Sequence, residues 1–322
     1  MVTAADSLLS EYRALTEGCG LLDRSERGKL AVTGGEAKAF LQGQVTNDVE
    51  GLEPGHGCYA AFLTHKGKML GDLRVLDAGG EVLLDCERSA LQGLFNLLRR
   101  ATLGRDAELH KRTLQRGLLS LIGPGARRLS GAEVAGLGPA EHDHVADEVA
   151  GRPVRLIATD AGGVDVLCLA EDTEAVRSAL LEAGAVAVSE AAAEIVRVER
   201  GRPRYGAELD DTVIPQEAGL NERAVSFTKG CYVGQETVAR LHYRGKPNRH
   251  LRGLRLSAPA ATGDELRLGE KVVGRLATVA LSPALGPIAL GFVRREAQPG
   301  DTVAVGDGSL TAEVVTLPFA GA

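Results

Sequence analysis

The stretch KGCYVGQE, residues 229–236, sets a cysteine between two glycines, with Lys229 before it and Arg240, His242, Arg244 and Lys246 after it. Cations beside a thiol favour thiolate, the form that attacks electrophiles and binds soft metals. If TKGCYVGQETVARL opens a short helix capped by Thr228, Cys231 also lies at the positive end of the helix dipole. Gly230 and Gly234, four residues apart, would then share one helix face and admit a backbone or a flat ligand. The competing reading of Cys231 is a small buried hydrophobe with a weak S–H donor. Glu199 ends IVRVERG, where alternation puts Val196 and Val198 on one strand face and Arg197 and Glu199 on the other. A carboxylate only accepts, so it can take two parallel N–H bonds from the edge of a pterin or guanine ring. A solvated strand-face charge is the alternative there. EHDHVADE holds His142 and His144 but reads as a solvated acidic loop rather than a metal site. No Ser/His/Asp order, P-loop or dinucleotide fingerprint stands out, and Gly162-Gly163 reads as a turn.

The elements that must carry these residues change character along the chain. GKLAVTGGEAKAFLQGQVTNDV reads as a strand, a turn at Gly34-Gly35 and a helix bearing Phe40 and Leu41. CYAAFLTHKGKMLGDLRVLDAGGEVLLDC follows as strands broken by HKGK and DAGG, a hairpin pattern. SALQGLFNLLRRATLGRDAEL has Leu91, Leu94, Phe95, Leu97 and Leu98 at helical spacing, with Arg99 and Arg100 where cations suit the dipole. The run from Thr173 reads as a helix ending at Gly184, then a helix-to-strand passage into Arg197–Gly201. After RGKPNRHLRG come short strands separated by Gly, Pro and Asp, the spacing of a small β-barrel, which puts a boundary near Lys246.

At 322 residues the chain suits about two domains. With 44% hydrophobic and 25% charged residues and no long apolar run, it has the composition of a soluble globular protein. The N-terminus shows neither a secretory signal nor an Arg-rich transit peptide, so a cytoplasmic protein is expected. Five scattered cysteines and no C-x-x-C argue against a disulfide framework or a zinc ribbon. A net charge of −6 and 3% aromatics argue against a protein that coats nucleic acid.

With these residues in view, the chain resembles the YgfZ family of folate-binding proteins, relatives of the glycine-cleavage T-protein. The most specific part is K-G-C-Y-x-G-Q-E at residues 229–236, preceded by RVERGRPRYGAEL and VIPQEAGL. GKLAVTGGEAKAFLQGQVTNDV is similar to the family's first block and SPALGPIALGFV to its C-terminal barrel. The resemblance implies an α+β chain folded as a three-subdomain cloverleaf of the T-protein type around a tetrahydrofolate cavity. Residues 1–245 would form the folate-binding region of two interwoven subdomains, and residues 246–322 a small antiparallel β-barrel. It further implies that Glu199 is the pterin-binding glutamate. Lys229, Tyr232, Gln235 and Arg240 would join it as folate contacts, the two cations meeting the glutamate tail. Cys231 would be the functional thiol of a factor that supports assembly or repair of iron–sulfur enzymes, including radical enzymes that modify tRNA. Its partners would be those iron–sulfur client proteins or their assembly machinery.

The T-protein's Asp-Asp-Leu segment stands here as MLGDLRVL, so Gly71 replaces one acid while Asp72 remains as the acid/base candidate. That supports a second expectation, a folate-dependent aminomethyltransferase or demethylase of the T-protein type in which Cys231 is structural. A third is a non-enzymatic scaffold that binds a protein through the barrel.

Overall fold

The computed structural model describes residues 4–321. Two sheets, the first antiparallel and the second antiparallel except for the parallel edge strand Val186–Ala187, and a closed barrel organise the chain, with helices packed on their outer faces. The first sheet runs in the order Gly57–Leu63, Met69–Asp77, Val82–Cys86, Gly28–Thr33 and Glu108–Lys111. The second orders Val186–Ala187, Gly20–Asp23, Arg116–Ile122, Val164–Leu169, Arg152–Ala158 and His144–Val149. Each alternates its side chains between two faces. In Met69–Asp77, Leu73 and Val75 turn outward to meet Leu94 and Leu98 of the helix Arg88–Ala101. That helix carries its apolar residues at the expected spacing and ends in Arg99 and Arg100. Asp72, Arg74 and Leu76 take the opposite, inward face.

The inward faces of the two sheets meet through Ala31, Leu76 and Leu83 on one side and Leu118, Ile157 and Leu167 on the other. This apolar contact is small. Beside it the facing strands switch to charged residues, because register pairs Arg74 with Asp85 in the first sheet and Ser120 with Asp165 in the second. One end of the sheet–sheet seam is therefore oily and the other polar.

The barrel is closed by six antiparallel strands in the order Arg249–Leu256, Gly286–Arg294, Lys271–Ser282, Glu265–Leu268, Thr302–Val305 and Leu310–Val315. Its interior is filled by Leu254, Leu266, Val273, Leu276, Val293 and their neighbours. Closure leaves no free sheet edge. No helix among the described residues is long and apolar enough to cross a membrane.

Two local expectations are corrected. The run into Arg197–Gly201 contains no strand: Glu190–Glu199 is a single helix, its Ser189 cap accepting from the Ala192 amide. Apolar residues at 192, 195, 196 and 198 fit helical spacing as well as alternation, and burial on two sides of the helix settled the matter. The helix after the glycine-rich stretch begins only at Gln235, with Gly234 as its cap at φ 85°. A side chain at Gly234 would lie 2.5 Å from the Thr64 carbonyl oxygen, so this glycine seats the segment on the hairpin loop at Thr64–Gly67. Cys231 and Gly230 precede the helix in chain without regular secondary structure, and the shared glycine face does not form.

Candidate functional site

Between the two sheets, the helix Glu190–Glu199 and the loop at residues 200–204 lies a cavity of about 600 Å³. That is within the range of small-molecule sites. Its wall is dominated by arginine and carboxylate side chains, with Leu22, Ile122 and Val196 as apolar patches.

Asp72 forms part of this wall from the strand Met69–Asp77 and is itself buried. The Tyr59 hydroxyl, from the adjacent strand, donates to Asp72 Oδ2 at 2.5 Å. Burial raises the Asp72 carboxyl to about 6, the Tyr59 hydrogen bond opposing it and the charge of Glu87 adding to it. Tyr59 in turn is pushed well above the ordinary tyrosine range by burial and by Asp72, so its hydroxyl keeps its proton. The Arg223 guanidinium lies 5.0 Å from the centre of the Tyr59 ring, and its Nη2 donates to Glu141 at 2.7 Å. The result is a hydrogen-bonded carboxyl, held in one orientation, whose protonation changes near neutral pH.

Behind Asp72 a chain of ion pairs crosses the seam between the sheets. Arg27 grips Asp85 through two bonds of 3.0 Å, Arg74 donates to Asp85 at 2.7 Å and to Asp165 at 2.6 Å, and Ser120 donates to Asp165 at 2.6 Å. The paired guanidinia hold Asp85 well below the usual carboxylate range despite its burial. Across the cavity, Arg202 Nε stands 3.3 Å from Asp160 and Arg197 is bound by Glu194 and Glu208. Three buried polar atoms of the wall have no hydrogen-bond partner: His142 Nδ1, Arg204 Nε and Arg223 Nε. A cavity with apolar patches, donor-rich arginines and unpartnered polar atoms fits a planar, polar ring bearing a carboxylate tail.

Of the residues singled out in the sequence, Asp72 and His142 stand in the cavity wall, whereas Glu199, Lys229, Cys231, Tyr232, Gln235 and Arg240 do not. Glu199 is buried on another face of its helix: Ala193, Val196, Arg197 and Arg200 share the cavity face, while Glu199 turns toward the barrel. Its Oε1 accepts from Tyr12 at 3.0 Å and from Ser282 of the barrel. Burial and this carboxylate raise the Tyr12 hydroxyl to about 12. Glu199 thus pins the N-terminal helix and the barrel to one helix end. Glu199→Gln keeps the acceptor and is expected to leave folate affinity within about twofold, well below the ten- to hundredfold loss of a broken charge-assisted bond. Glu199→Leu, which strands two buried hydroxyls, should cost roughly 2–6 kcal/mol of stability at about 1–3 for each. Folate titration and urea unfolding of the two variants check this, and a large affinity loss in Glu199→Gln would return the residue to the ligand.

Lys229 is likewise turned inward. Its Nζ donates to the Val45 and Asn47 carbonyls at 2.8 and 2.9 Å and to that of Gln42, which fixes the chain after the helix Ala37–Gln42. Burial lowers it to about 8. Tyr232 is a core residue packed with Ala61, Leu63 and Met69. Gln235 opens its helix, Arg240 and Cys231 are exposed, and none of the three lines the cavity. His142 and His144 are buried, not solvated. His144 takes a 2.9 Å bond from Arg155, and its amide donates to the Gly55 carbonyl, which docks this loop on the first sheet.

The residues missed in the sequence were Tyr59, Arg74, Asp85, Asp165, Glu141 and Arg223. For the strand residues a signal existed: charged side chains inside apolar runs, two apart in MLGDLRVLD and single in VLLDC and GVDVLCL, mark one polar face of an otherwise buried sheet.

Comparison with known proteins agrees with this architecture. Residues 2–229 match the GCVT N-terminal domain, and residues 249–320 match the glycine cleavage T-protein C-terminal barrel domain. An aminomethyltransferase of Rubrobacter xylanophilus is 30% identical over 319 residues, covering 96% of this chain and 85% of the relative. One from Chloroherpeton thalassium is 32% identical over 310 residues, covering 90% and 83%. The crystal structure of the glycine cleavage system aminomethyltransferase T from Bartonella henselae superposes with a TM-score of 0.86 at 24% identity, over 97% of this chain and 89% of that one. The chain belongs to the glycine-cleavage T-protein family.

Proposed function

We propose that the protein is a tetrahydrofolate-dependent one-carbon transferase of the aminomethyltransferase type, with the folate in the cavity beside Asp72. The observation that carries this reading is Asp72 itself, buried in the cavity wall, oriented by Tyr59 and titrating at about 6. Relatives named aminomethyltransferase over nearly the whole chain support it. Bound tetrahydrofolate would supply the amines that exchange the one-carbon unit.

Forming a bond at an amine releases a proton, and reversing the transfer needs one. At pH 7 a carboxyl of pKa about 6 is ionised roughly ten to one, ready to take a proton and still acidic enough to return it. Tyr59 fixes the Oδ2 side, which leaves Oδ1 to meet the ligand. Arg202 and Arg223 are placed to receive a carboxylate tail. The test is a titration of the full-length protein with tetrahydrofolate, followed by turnover with an aminomethyl donor. Failure to bind the folate, or binding without turnover, rejects the reading.

A second reading keeps the iron–sulfur maintenance role of the YgfZ type, with client or assembly proteins as partners. It is supported by one feature: Cys231 is the exposed thiol of the five. Burial pushes Cys19 up to about 11 and Cys58 and Cys86 to about 12, and raises Cys168 as well. An alkylating reagent at neutral pH is therefore expected to modify Cys231 before the other four, as read by peptide mass spectrometry. Cys231→Ser should keep folate transfer on the first reading, and should fail to restore iron–sulfur enzyme activity in deficient cells on the second.

A further inference from the structure

We propose that Glu87 is a positioning residue for Asp72, a second carboxylate set opposite it that occupies Arg27 and keeps that guanidinium off the reacting acid. The inference rests on the transferase reading above for the reaction that the pair serves. Register places the two acids. Leu73 pairs with Cys86 and Arg74 with Asp85, so one step along the ladder Asp72 stands across from Glu87. Glu87 continues its strand in extended backbone, at φ −61° and ψ 142°, and the alternation puts Asp85 and Glu87 on the same inward face. Directly opposed side chains of an antiparallel pair have Cβ atoms about 4.5–5.5 Å apart, and like charges there repel. Both carboxyls line the cavity.

Arg27 shows what the arrangement does. It donates twice to Asp85 at 3.0 Å and through Nη1 to Glu87, and none of its bonds goes to Asp72. Asp72 is served instead by the neutral Tyr59 hydroxyl. Burial raises the Asp72 carboxyl, the Tyr59 bond and the charge of Arg27 oppose it, and the charge of Glu87 supports it. The other groups around Asp72 are already committed. Arg74, two places along the strand, is bound to Asp85 and Asp165, and Arg223, beside the Tyr59 ring, is bound to Glu141. Burial and the charges of Asp211, Asp210 and Asp72 raise the Tyr205 hydroxyl, which keeps its proton. Asp85 shows the alternative: gripped by Arg27 and Arg74, it is held well below the usual carboxylate range. Without the charge of Glu87, that of Arg27 would no longer be offset, and Asp72 would move toward the same fate, a fixed anion rather than a proton acceptor near neutral pH.

The experiment follows the Asp72 carboxyl by carbon NMR against pH in the full-length protein without folate, its signal assigned by its loss in Asp72→Asn. The pH profile of transfer is then measured on the same proteins. Wild type should titrate at about 6. Glu87→Gln keeps the size of the side chain and an acceptor for Arg27 but not the charge. Its Asp72 midpoint should fall by at least about 0.5, and the acid limb of the transfer profile should move down with it. Glu87→Asp restores the charge and should bring both back toward wild type. A merely structural role would lower activity at every pH and leave the midpoint in place. An unmoved Asp72 midpoint in Glu87→Gln overturns the proposal, as does a Glu87→Asp midpoint no higher than that of Glu87→Gln. A midpoint that moves as expected in a protein that binds no folate, or binds it without turnover, rejects the transferase reading instead and leaves the carboxyl pair standing.

Discussion

Asp72→Asn is expected to lower folate-dependent transfer by about 10²–10⁴-fold, the usual contribution of a positioned acid–base group, while making the protein more stable at pH 8. Both effects come from one environment. The Asp72 carboxyl is fully buried, and that burial moves it from 3.8 to about 6. A folded-state value above the unfolded one means that the native protein holds the proton more tightly between those limits. Stability is thus complete below about pH 4, falls as pH rises to about 6, and is level above. Two units correspond to about 3 kcal/mol, an upper bound on what ionised Asp72 costs the fold. An amide is never charged, and its oxygen can still accept from Tyr59, so the variant avoids that cost. Urea unfolding of both proteins at pH 4, 6 and 8 isolates the difference from every other titrating group. Parallel curves, or an Asn variant with undiminished turnover, would sink the assignment of Asp72.

The same residue shows how far the sequence could be read. MLGDLRVLD read as part of a strand pair, and Asp72 was picked out in it by the segment's resemblance to the T-protein's Asp-Asp-Leu. Partners of Asp72 were not visible there, because Tyr59 lies 13 residues away on a neighbouring strand and Arg223 reaches it from a distant segment. Register decides such meetings, and register follows from tertiary packing. The barrel was legible for the opposite reason: short strands bounded by Gly, Pro and Asp are a local signal. Glu199 misled because VRV satisfies both period two and a helix buried on several sides. For Cys231 the neighbouring charges suggested a dipole and a pocket, whereas Gly234 at φ 85° delays the helix and leaves the thiol on the surface. Lys229 looked like a free cation in sequence, yet three carbonyls claim it.

Arg74→Met is expected to cost about 3–5 kcal/mol of stability and to loosen the cavity with it. Arg74 is the cation between Asp85 of the first sheet and Asp165 of the second, at 2.7 and 2.6 Å, all three side chains being nearly enclosed. Removing it affects the two acids unequally. Asp85 keeps Arg27, but Asp165 retains only the Ser120 hydroxyl and becomes an uncompensated buried charge. Few apolar side chains bridge the same seam, so the two sheets lose much of what holds the Asp72 wall opposite Glu141 and His142. Neutralising the stranded acid should therefore rescue the fold. In Arg74→Met with Asp165→Asn, the amide still accepts from Ser120, and at least half of the lost stability is expected to return at pH 7.5. Urea unfolding of wild type, the single variant and the double variant measures the coupling directly. A single variant within about 1 kcal/mol of wild type would mean that the ion chain contributes little and that the apolar contact holds the sheets together.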